Sequence, residues 1–379
     1  MKKEVRTNVF SPTFGNKPQQ LLGRDAPMKQ LKEGLETPPG SRERVVIMTG
    51  QRGEGKTVLL LELADEARER GFVVASPTVV SPDMPEVILD KLQADAMRSG
   101  GKDGKKVTGA SVGAFGFSAG IQFDREEWKA GTFSVKLDLL CEALNREGHG
   151  ALLLVDEVQA NSAEMKQLAI AYQELVGAGR DVAIVMAGLP AALSALLNDK
   201  VLTFLNRASK IALEPLRIGE IAGYFSRVFR AQNIAVSDRL CEKAAERTKG
   251  SPYMMQLVGY YMTKAAQADG AVTEEALENA LRFAENDFQN DICETVLRSL
   301  SENDVRFLKA AAKAGETAAM SDIIETMNVS GQLAQQYRRR LLDAGILESV
   351  RRGEVRFAVP YLRDYFIKNA MSSDLQNHH

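Results

Sequence analysis

The chain has 379 residues, 45% of them hydrophobic and 26% charged with both signs interspersed, enough apolar content for two or three packed domains. A formal net charge of −2 excludes a uniformly basic nucleic-acid coat, so any contact with nucleic acid has to come from a local patch. Cys141, Cys241 and Cys293 are far apart and form no C-x-x-C pair, which suggests buried thiols rather than a zinc site or a disulfide framework. The opening MKKEVRTNVF lacks the apolar stretch of a signal peptide and no later run approaches a membrane span; the expectation is a cytoplasmic protein with no membrane partner.

Residues 1–20 are polar and turn-rich, with Pro12, Gly15 and Pro18, and are expected to cross a domain surface. Met28, Leu31 and Leu35 then fall at helical spacing behind Leu21 and Leu22. Val45 to Met48 reads as an apolar strand and Val58 to Arg70 as a helix, with Gly50, Gly53, Gly55, Lys56 and Thr57 filling G-x-x-x-x-G-K-T between them. In that setting the backbone from Gly50 through Gln51, Arg52, Gly53, Glu54 and Gly55 points N–H groups at an anion, aided by the positive end of the helix. Lys56 is expected on the β and γ phosphates of ATP and Thr57 on Mg²⁺.

Gly71 ends that helix, Phe72 to Ala75 reads as a short buried strand, and Pro82 and Pro85 introduce a helix carrying Val87, Ile88 and Leu92 that runs out near Ser99. Residues 100–123 follow no helical period; they read as a glycine-rich hairpin or surface insertion, with Lys102, Lys105 and Lys106 able to touch nucleic acid or a neighbouring subunit. Ser134 to Gly148 is helical again and leads into ALLLVDEVQ. Ala151 to Val155 is a wholly apolar strand, so Asp156 and Glu157 emerge at its carboxyl end, where open α/β sheets bind ligands. Asp156 is expected to hold Mg²⁺ and Glu157 to polarise the attacking water. Alone, two acids after a strand fit a solvated loop equally well; together with the phosphate loop they point to a hydrolytic ATPase.

Asp181 to Ala187 reads as another buried strand, Leu193 to Phe204 as a helix, and Lys210 to Leu213 as the last strand, with Arg207 just before it. From Leu216 to about Ala284 there are helices only: Ser237 and Thr273 are amino caps, Gly250 ends one helix and Pro252 opens the next, as in a helical lid. Phe283 to Leu300 reads as a connecting helix; Ser301 caps Glu302 to Ala314, Ser321 caps Asp322 to Met327, and Gln332 to Ala344 follows. Two alternating strands around Arg352-Gly353 and a helix from Tyr361 to Asn369 complete a winged helix-turn-helix. With Leu333, Tyr337 and Leu341 inward, Gln335, Gln336, Arg338 and Arg339 face outward. Six arginines against three acids between Gln332 and Phe357 leave a local +3, to which Arg351 and Arg352 in the wing contribute. The patch fits duplex DNA; winged helices also serve as protein contacts, and that alternative stays open.

The phosphate loop, the VDE strand, Gly23-Arg24 ahead of spaced leucines, Gly250-Ser251-Pro252 and the terminal winged helix together resemble the bacterial Orc1/Cdc6-like AAA ATPases near the STAND border. The resemblance implies an α/β P-loop NTPase core with a five-stranded parallel sheet over 1–215, a helical lid over 216–290 and a winged-helix domain over 291–379. It implies that Leu22, Gly23 and Arg24 lie on the adenine side, that Pro252 packs near the base, and that Arg207 reaches a neighbouring subunit's nucleotide in an ATP-state homo-oligomer. Read without the resemblance, Leu21 to Leu35 is equally an amphipathic helix on the sheet, and Arg207 an arginine at a helix end or paired with a surface acid. Two departures stand out: Ala187-Gly188 has no polar sensor side chain, and no lid arginine is evident. The same core also serves STAND signalling switches, which toggle with ATP toward a protein client.

Overall fold

Aliphatic runs punctuated by glycine build the first half of the molecule and amphipathic helices the second. The computed structural model describes residues 8–13, 20–99, 130–159, 162–266, 270–298 and 300–368; the segment 100–123 lies outside them. The chain divides into two units, Arg24–Gly50 with Lys56–Leu213, and the described parts of Met1–Gly23, Gln51–Gly55 and Glu214–His379. No helix among the described residues is long and apolar enough to cross a membrane.

In the first unit, strands β1 (Val45–Thr49), β2 (Val73–Val79), β3 (Ala151–Val158), β4 (Val182–Gly188) and β5 (Ser209–Ala212) form one sheet in the order β2-β3-β4-β1-β5. Every pair is parallel. Its helices are α1 (Asp25–Glu36), α2 (Lys56–Glu69), α3 (Met84–Ser99), α4 (Phe133–Arg146), α5 (Ala163–Gly177) and α6 (Pro190–Leu197). All of β4 is buried, which is why it reads as an unbroken apolar run rather than an alternating one. Ile47, Leu153, Ile184 and Met186 face a core shared with Ile88 of α3, Leu137 of α4 and Leu168 of α5. On the opposite face α2 packs on β2, β3 and β4 and buries Leu59, Leu60 and Leu63. This is the αβα sandwich of a P-loop NTPase.

Two expectations in this unit need correction. Strand β2 continues past Ala75 to Val79 through an irregularity in its pairing with β3. Pro77 has no N–H to give, which an edge strand tolerates, and Lys91 Nζ donates to the carbonyls of Ser76 and Pro77 and to Thr78 Oγ1 at 3.2, 2.8 and 2.8 Å. The helix expected over 193–204 is α6 followed by a separate 3₁₀ turn, Thr203–Arg207. Asp199 breaks it, accepting the Val201 N–H at 2.9 Å and the Lys166 ammonium at 2.7 Å.

The second unit begins, in sequence, with a residue expected on the surface. Phe10 is buried, with ring centroids of Tyr224, Phe225 and Phe229 at 5.9, 5.8 and 5.7 Å. Gly259 makes the space: a Cβ there would stand 2.3 Å from the Phe10 ring. Around it run α7 (Ile218–Ala231), α8 (Asp238–Arg247), α9 (Pro252–Ala266) and α10 (Glu274–Phe288), with Ser237 and Thr273 accepting backbone N–H groups as amino caps. The connecting helix expected over 283–300 is the end of α10, a π turn at Gln289–Cys293, and α11 (Glu294–Arg298). Tyr253 donates its hydroxyl to Asp291 of that turn at 2.6 Å. Burial and this carboxylate push the phenol pKa up, so the donor keeps its proton.

Next come α12 (Glu302–Ala314), β6 (Thr317–Ala319), α13 (Met320–Met327), α14 (Gly331–Asp343), β7 (Leu347–Ser349) and β8 (Glu354–Phe357). Ser301 and Asp304 form a reciprocal capping box on α12. Ser321 is not a cap: α13 starts one residue earlier, at Met320, whose side chain is buried, and Ser321 bonds Asp322 instead. The ribbon has three strands, not two, because Thr317–Ala319 pairs antiparallel with β8 to give the order β6-β8-β7. Cys141, Cys241 and Cys293 are buried and free, and burial pushes the Cys141 and Cys293 thiols up to about 12.

Candidate functional site

Between β1 and α2 the backbone turns at Gly53 and Gly55 with φ of +80° and +83°, a region that side-chain-bearing residues rarely adopt. Within the first unit, Gly50 N–H donates to Gly188 O at 3.3 Å and Lys56 Nζ donates to Gly50 O at 2.8 Å. Thr57 Oγ1 donates to Asp156 Oδ2 at 2.5 Å. Asp156, buried at the end of β3, has its other oxygen 2.9 Å from the Glu157 N–H. Both carboxylate oxygens are therefore held, one from β3 itself and one from α2. A hydroxyl and a carboxylate are hard oxygen donors of the kind Mg²⁺ takes while keeping waters and phosphate oxygens in its remaining positions, so the residues fit that ion.

Asp156 and Glu157 belong to β3 rather than following it, and the strand bulges there: its pairing with β4 shifts between Val155 and Val158. Glu157 stands exposed on the bulge with φ +52°, an unusual conformation for a non-glycine residue. A Cβ on Gly188 would lie 3.2 Å from Val158 Cβ and 3.3 Å from its carbonyl oxygen, so the space is already filled.

Arg207 is exposed at the end of the 3₁₀ turn before β5. Because Ser209 pairs with Val46, it lies at the amino ends of the strands, opposite the end from which Lys56 follows. It lines a groove of about 260 Å³ together with Val45, Tyr172 and Phe204. Arg24 is buried at the amino cap of α1, where its carbonyl accepts Met28 N–H at 2.9 Å.

The second unit gathers other members of the expected set. Gln51 and Glu54 close a turn on both sides, Glu54 N–H to Gln51 O at 3.4 Å and Gln51 N–H to Glu54 Oε2 at 2.8 Å, with Glu54 only 7% exposed. Arg52 is exposed at the tip. A Cβ on Gly53 would lie 3.6 Å from both Ser251 Oγ and Tyr253 Cβ, so the loop backs onto the first turn of α9, where Pro252 sits. Gly23 (φ +63°) and Gly250 (φ +76°) both abut Leu216: a Cβ would meet its Cδ2 or its carbonyl at 2.8 Å. Leu22 packs half-buried on the same core.

On α14, Gln335, Gln336 and Arg339 are exposed while Tyr337 and Leu341 are buried. The inward stripe also takes Ala334, leaving Leu333 half-buried. Arg338 does not face freely outward: it is half-buried and donates to Ser349 Oγ at 2.9 Å. Arg340 pairs with Asp304 at 2.7 Å, Arg351 with Glu354 at 2.6 Å, and Arg356 with Glu348. Of the six arginines, Arg339 and Arg352 are the ones without a polar partner among the described residues.

The terminal segment, residues 290–366, matches the family model of a domain of unknown function (DUF8462). No curated protein matches the chain by sequence. By structure it is similar to the Walker-type ATPase PABY2304 of Pyrococcus abyssi, with a TM-score of 0.66 and 18% identity over 94% of this chain and 99% of that one. It is also similar to the ORC2 protein of Aeropyrum pernix, solved as ADPNP–ADP complexes, at 0.58 and 15% over 95% and 98%. Cdc6p of Pyrobaculum aerophilum gives 0.50 and 18% over 96% and 98%. At these identities the likeness is one of fold: the chain has the fold of Orc/Cdc6-like AAA ATPases.

Proposed function

We propose that the chain binds ATP with Mg²⁺ and hydrolyses it as an Orc/Cdc6-like AAA ATPase that acts on duplex DNA. The observation that carries this reading is Thr57 Oγ1 held 2.5 Å from Asp156 Oδ2, one residue after Lys56 and at the carboxyl ends of a parallel sheet. Contrary to the expectation for the whole run, the N–H groups of Gly50, Gln51 and Glu54 are engaged within the protein, so it is those of Gly53 and Gly55 with the amino end of α2 that receive the phosphates. Lys56 exchanges its bond to the Gly50 carbonyl for phosphate oxygens. Thr57 and Asp156 would hold Mg²⁺, which when bound neutralises charge between the β and γ phosphates. Glu157, exposed beside Asp156, orients the attacking water and takes its proton. Leu22, Gly23, Arg24 and Pro252 are assigned to the adenine side by their match to the family pattern. The printed description of the Aeropyrum ORC2 complexes supports nucleotide as the ligand.

Arg207 stands at the strand ends opposite its own Lys56, a location that suits action on a neighbouring copy and hence an ATP-dependent homo-oligomer. The helices α12 to α14 with β6 to β8 make a winged helix-turn-helix, in which Gln335, Gln336 and Arg339 address the major groove and Arg351 and Arg352 the backbone, with Arg338 bracing α14 against the ribbon through Ser349. A second reading, a STAND-like switch whose winged helix contacts a protein, gains from the pairing of Arg340, Arg351 and Arg356 with acids, which reduces the free positive charge. The test is ATP turnover by the full chain with and without duplex DNA at two salt concentrations, alongside Lys56→Ala and Glu157→Gln. Lys56→Ala should bind no ATP, and Glu157→Gln should bind without turning over. DNA stimulation supports the first reading and a DNA-indifferent, protein-dependent response the second; an unmodified chain that binds no nucleotide overturns both.

A further inference from the structure

Helix α10 buries Leu277, Ala280, Leu281, Ala284 and Phe288 on its apolar face, and Phe283 stands off that stripe, 49% exposed. A phenylalanine there adds little to the core, yet its ring is held: it stacks on Tyr261 of α9, with centroids 5.5 Å apart and planes 23° from parallel. Tyr260 meets Tyr261 edge-on at 5.2 Å. Asp287 accepts the Tyr261 hydroxyl at 2.5 Å, and burial together with this carboxylate pushes the phenol pKa up, so the ring stays neutral. A cation lies beside each ring of the stack. The Lys264 ammonium is 6.0 Å from the Tyr261 centroid and the Arg282 guanidinium 5.7 Å from that of Phe283, and both side chains are exposed.

The acids of these two helices are engaged elsewhere or distant. Helix α9 carries none, and on α10 Glu274 and Glu278 pair with Lys243 and Glu285 with Arg247. Glu275 precedes Phe283 by two helical turns, about 12 Å along the axis. An open ring face flanked by positive charge matches a nucleotide strand, because the ring can stack on any base while the cations meet the phosphates. Paired bases stack on one another and offer only their edges, so the face suits an unpaired strand rather than a duplex. Resting on the reading above only in taking the strand to be DNA, we propose that Phe283, seated on Tyr261 between Lys264 and Arg282, is a stacking platform for single-stranded DNA. It is a surface separate from the winged-helix residues assigned to the duplex.

The experiment is fluorescence anisotropy of the full chain across salt with three labelled probes: an oligothymidine strand, an abasic strand of the same length and charge, and a duplex. The unmodified chain should bind oligothymidine about 5- to 150-fold more tightly than the abasic strand, the worth of stacking a base. Phe283→Leu keeps an apolar side chain but has no ring face, so it should close that gap without changing the salt slope. Lys264→Ala and Arg282→Ala should keep the gap and each lower the slope by about 0.7. Arg352→Ala should weaken duplex binding and leave the gap intact. A gap absent from the unmodified chain, or one that survives Phe283→Leu, overturns the inference, as does a Phe283→Leu chain that differs only in self-association by light scattering. An unmodified chain that shows the gap but binds no duplex overturns the duplex reading and leaves this inference standing.

Discussion

The left-handed backbone at Glu157 separates folding from chemistry in a single residue. An L-residue in that region is strained by about 1 to 2 kcal/mol relative to glycine, which enters it freely. Glycine takes back roughly 0.5 to 1 kcal/mol through the larger freedom of its unfolded chain. Glu157 is exposed, so removing its side chain forfeits little buried area. Glu157→Gly should therefore be more stable by about 0.5 to 1 kcal/mol, which for a unit of this size raises its midpoint by about 1 to 4 °C. Glu157→Gln keeps the strain and should melt with the unmodified chain. Both should lose hydrolysis by about 10² to 10⁴ while still binding ATP. Thermal unfolding of the three proteins without nucleotide, with ATP turnover measured on the same preparations, checks both halves. A Glu157→Gly chain that is less stable than Glu157→Gln refutes the strain argument; one that hydrolyses ATP normally refutes the role of the carboxylate.

Arg207→Ala should bind ATP as before but lose ATP-dependent self-association and most turnover, since a finger acting in trans is worth about 10³ to 10⁵ in rate. Mixing it with Lys56→Ala should restore activity, and a mixture of folded but inactive chains removes support for action in trans. Arg352→Ala should lower the slope of log affinity against log salt for duplex DNA by about 0.9, and Arg356→Ala by less because its charge is matched by Glu348. Arg339→Ala, facing the groove, should cost about 1 to 3 kcal/mol and relax sequence preference with less change of slope. Equal slopes for Arg352→Ala and Arg356→Ala would show that the ion pair does not persist near DNA. Gly259→Ala should destabilise the second unit by about 1 to 3 kcal/mol by overpacking the Phe10 ring, and Phe10→Ala in the same chain should recover part of the loss; urea unfolding that finds no such rescue refutes the packing.

What could be read in advance was local. The strand, glycine turn and helix around Gly53 and Gly55 and the acidic end of β3 were legible because residue type and spacing constrain each other within a few positions, and the apolar runs of β3 and β4 announce burial on both faces. Phe10 was not legible, because its burial depends on a glycine at position 259. The bulge at Glu157 was equally hidden: nothing in the letters VDEV fixes a positive φ, which arises from the register of β3 against β4. At α13, Ser321 offered a cap, yet the pairing of Thr317–Ala319 with β8 fixes the chain entry and starts the helix at Met320. The Glu348–Arg356 pair was out of reach as well: counting back from a two-residue turn at Arg352-Gly353 sets Ser349 opposite Arg356, whereas the strands pair in a register centred on Arg352 that sets Glu348 there. The pairing of Arg340 with Asp304 joins α14 to the cap of α12, and no local pattern predicts it.

The π turn at Gln289–Cys293 turns chain length into direction. It amounts to one extra residue in a continuous helical ladder, and each residue advances a helix by about 100°. Before it, Phe288 lies between the rings of Tyr253 and Tyr361, at 5.9 and 5.7 Å. Within it Gln289 and Cys293 are buried, and after it Val296 is. Excising one residue would restore a plain α-helix and rotate all that follows by about 100° about the helix axis, carrying Arg339 and Arg352 to a different side of the second unit. Substitutions in these five residues act on stability, whereas a single insertion or deletion acts as a change of phase, and the bearing of the terminal module is inherited as a count of residues.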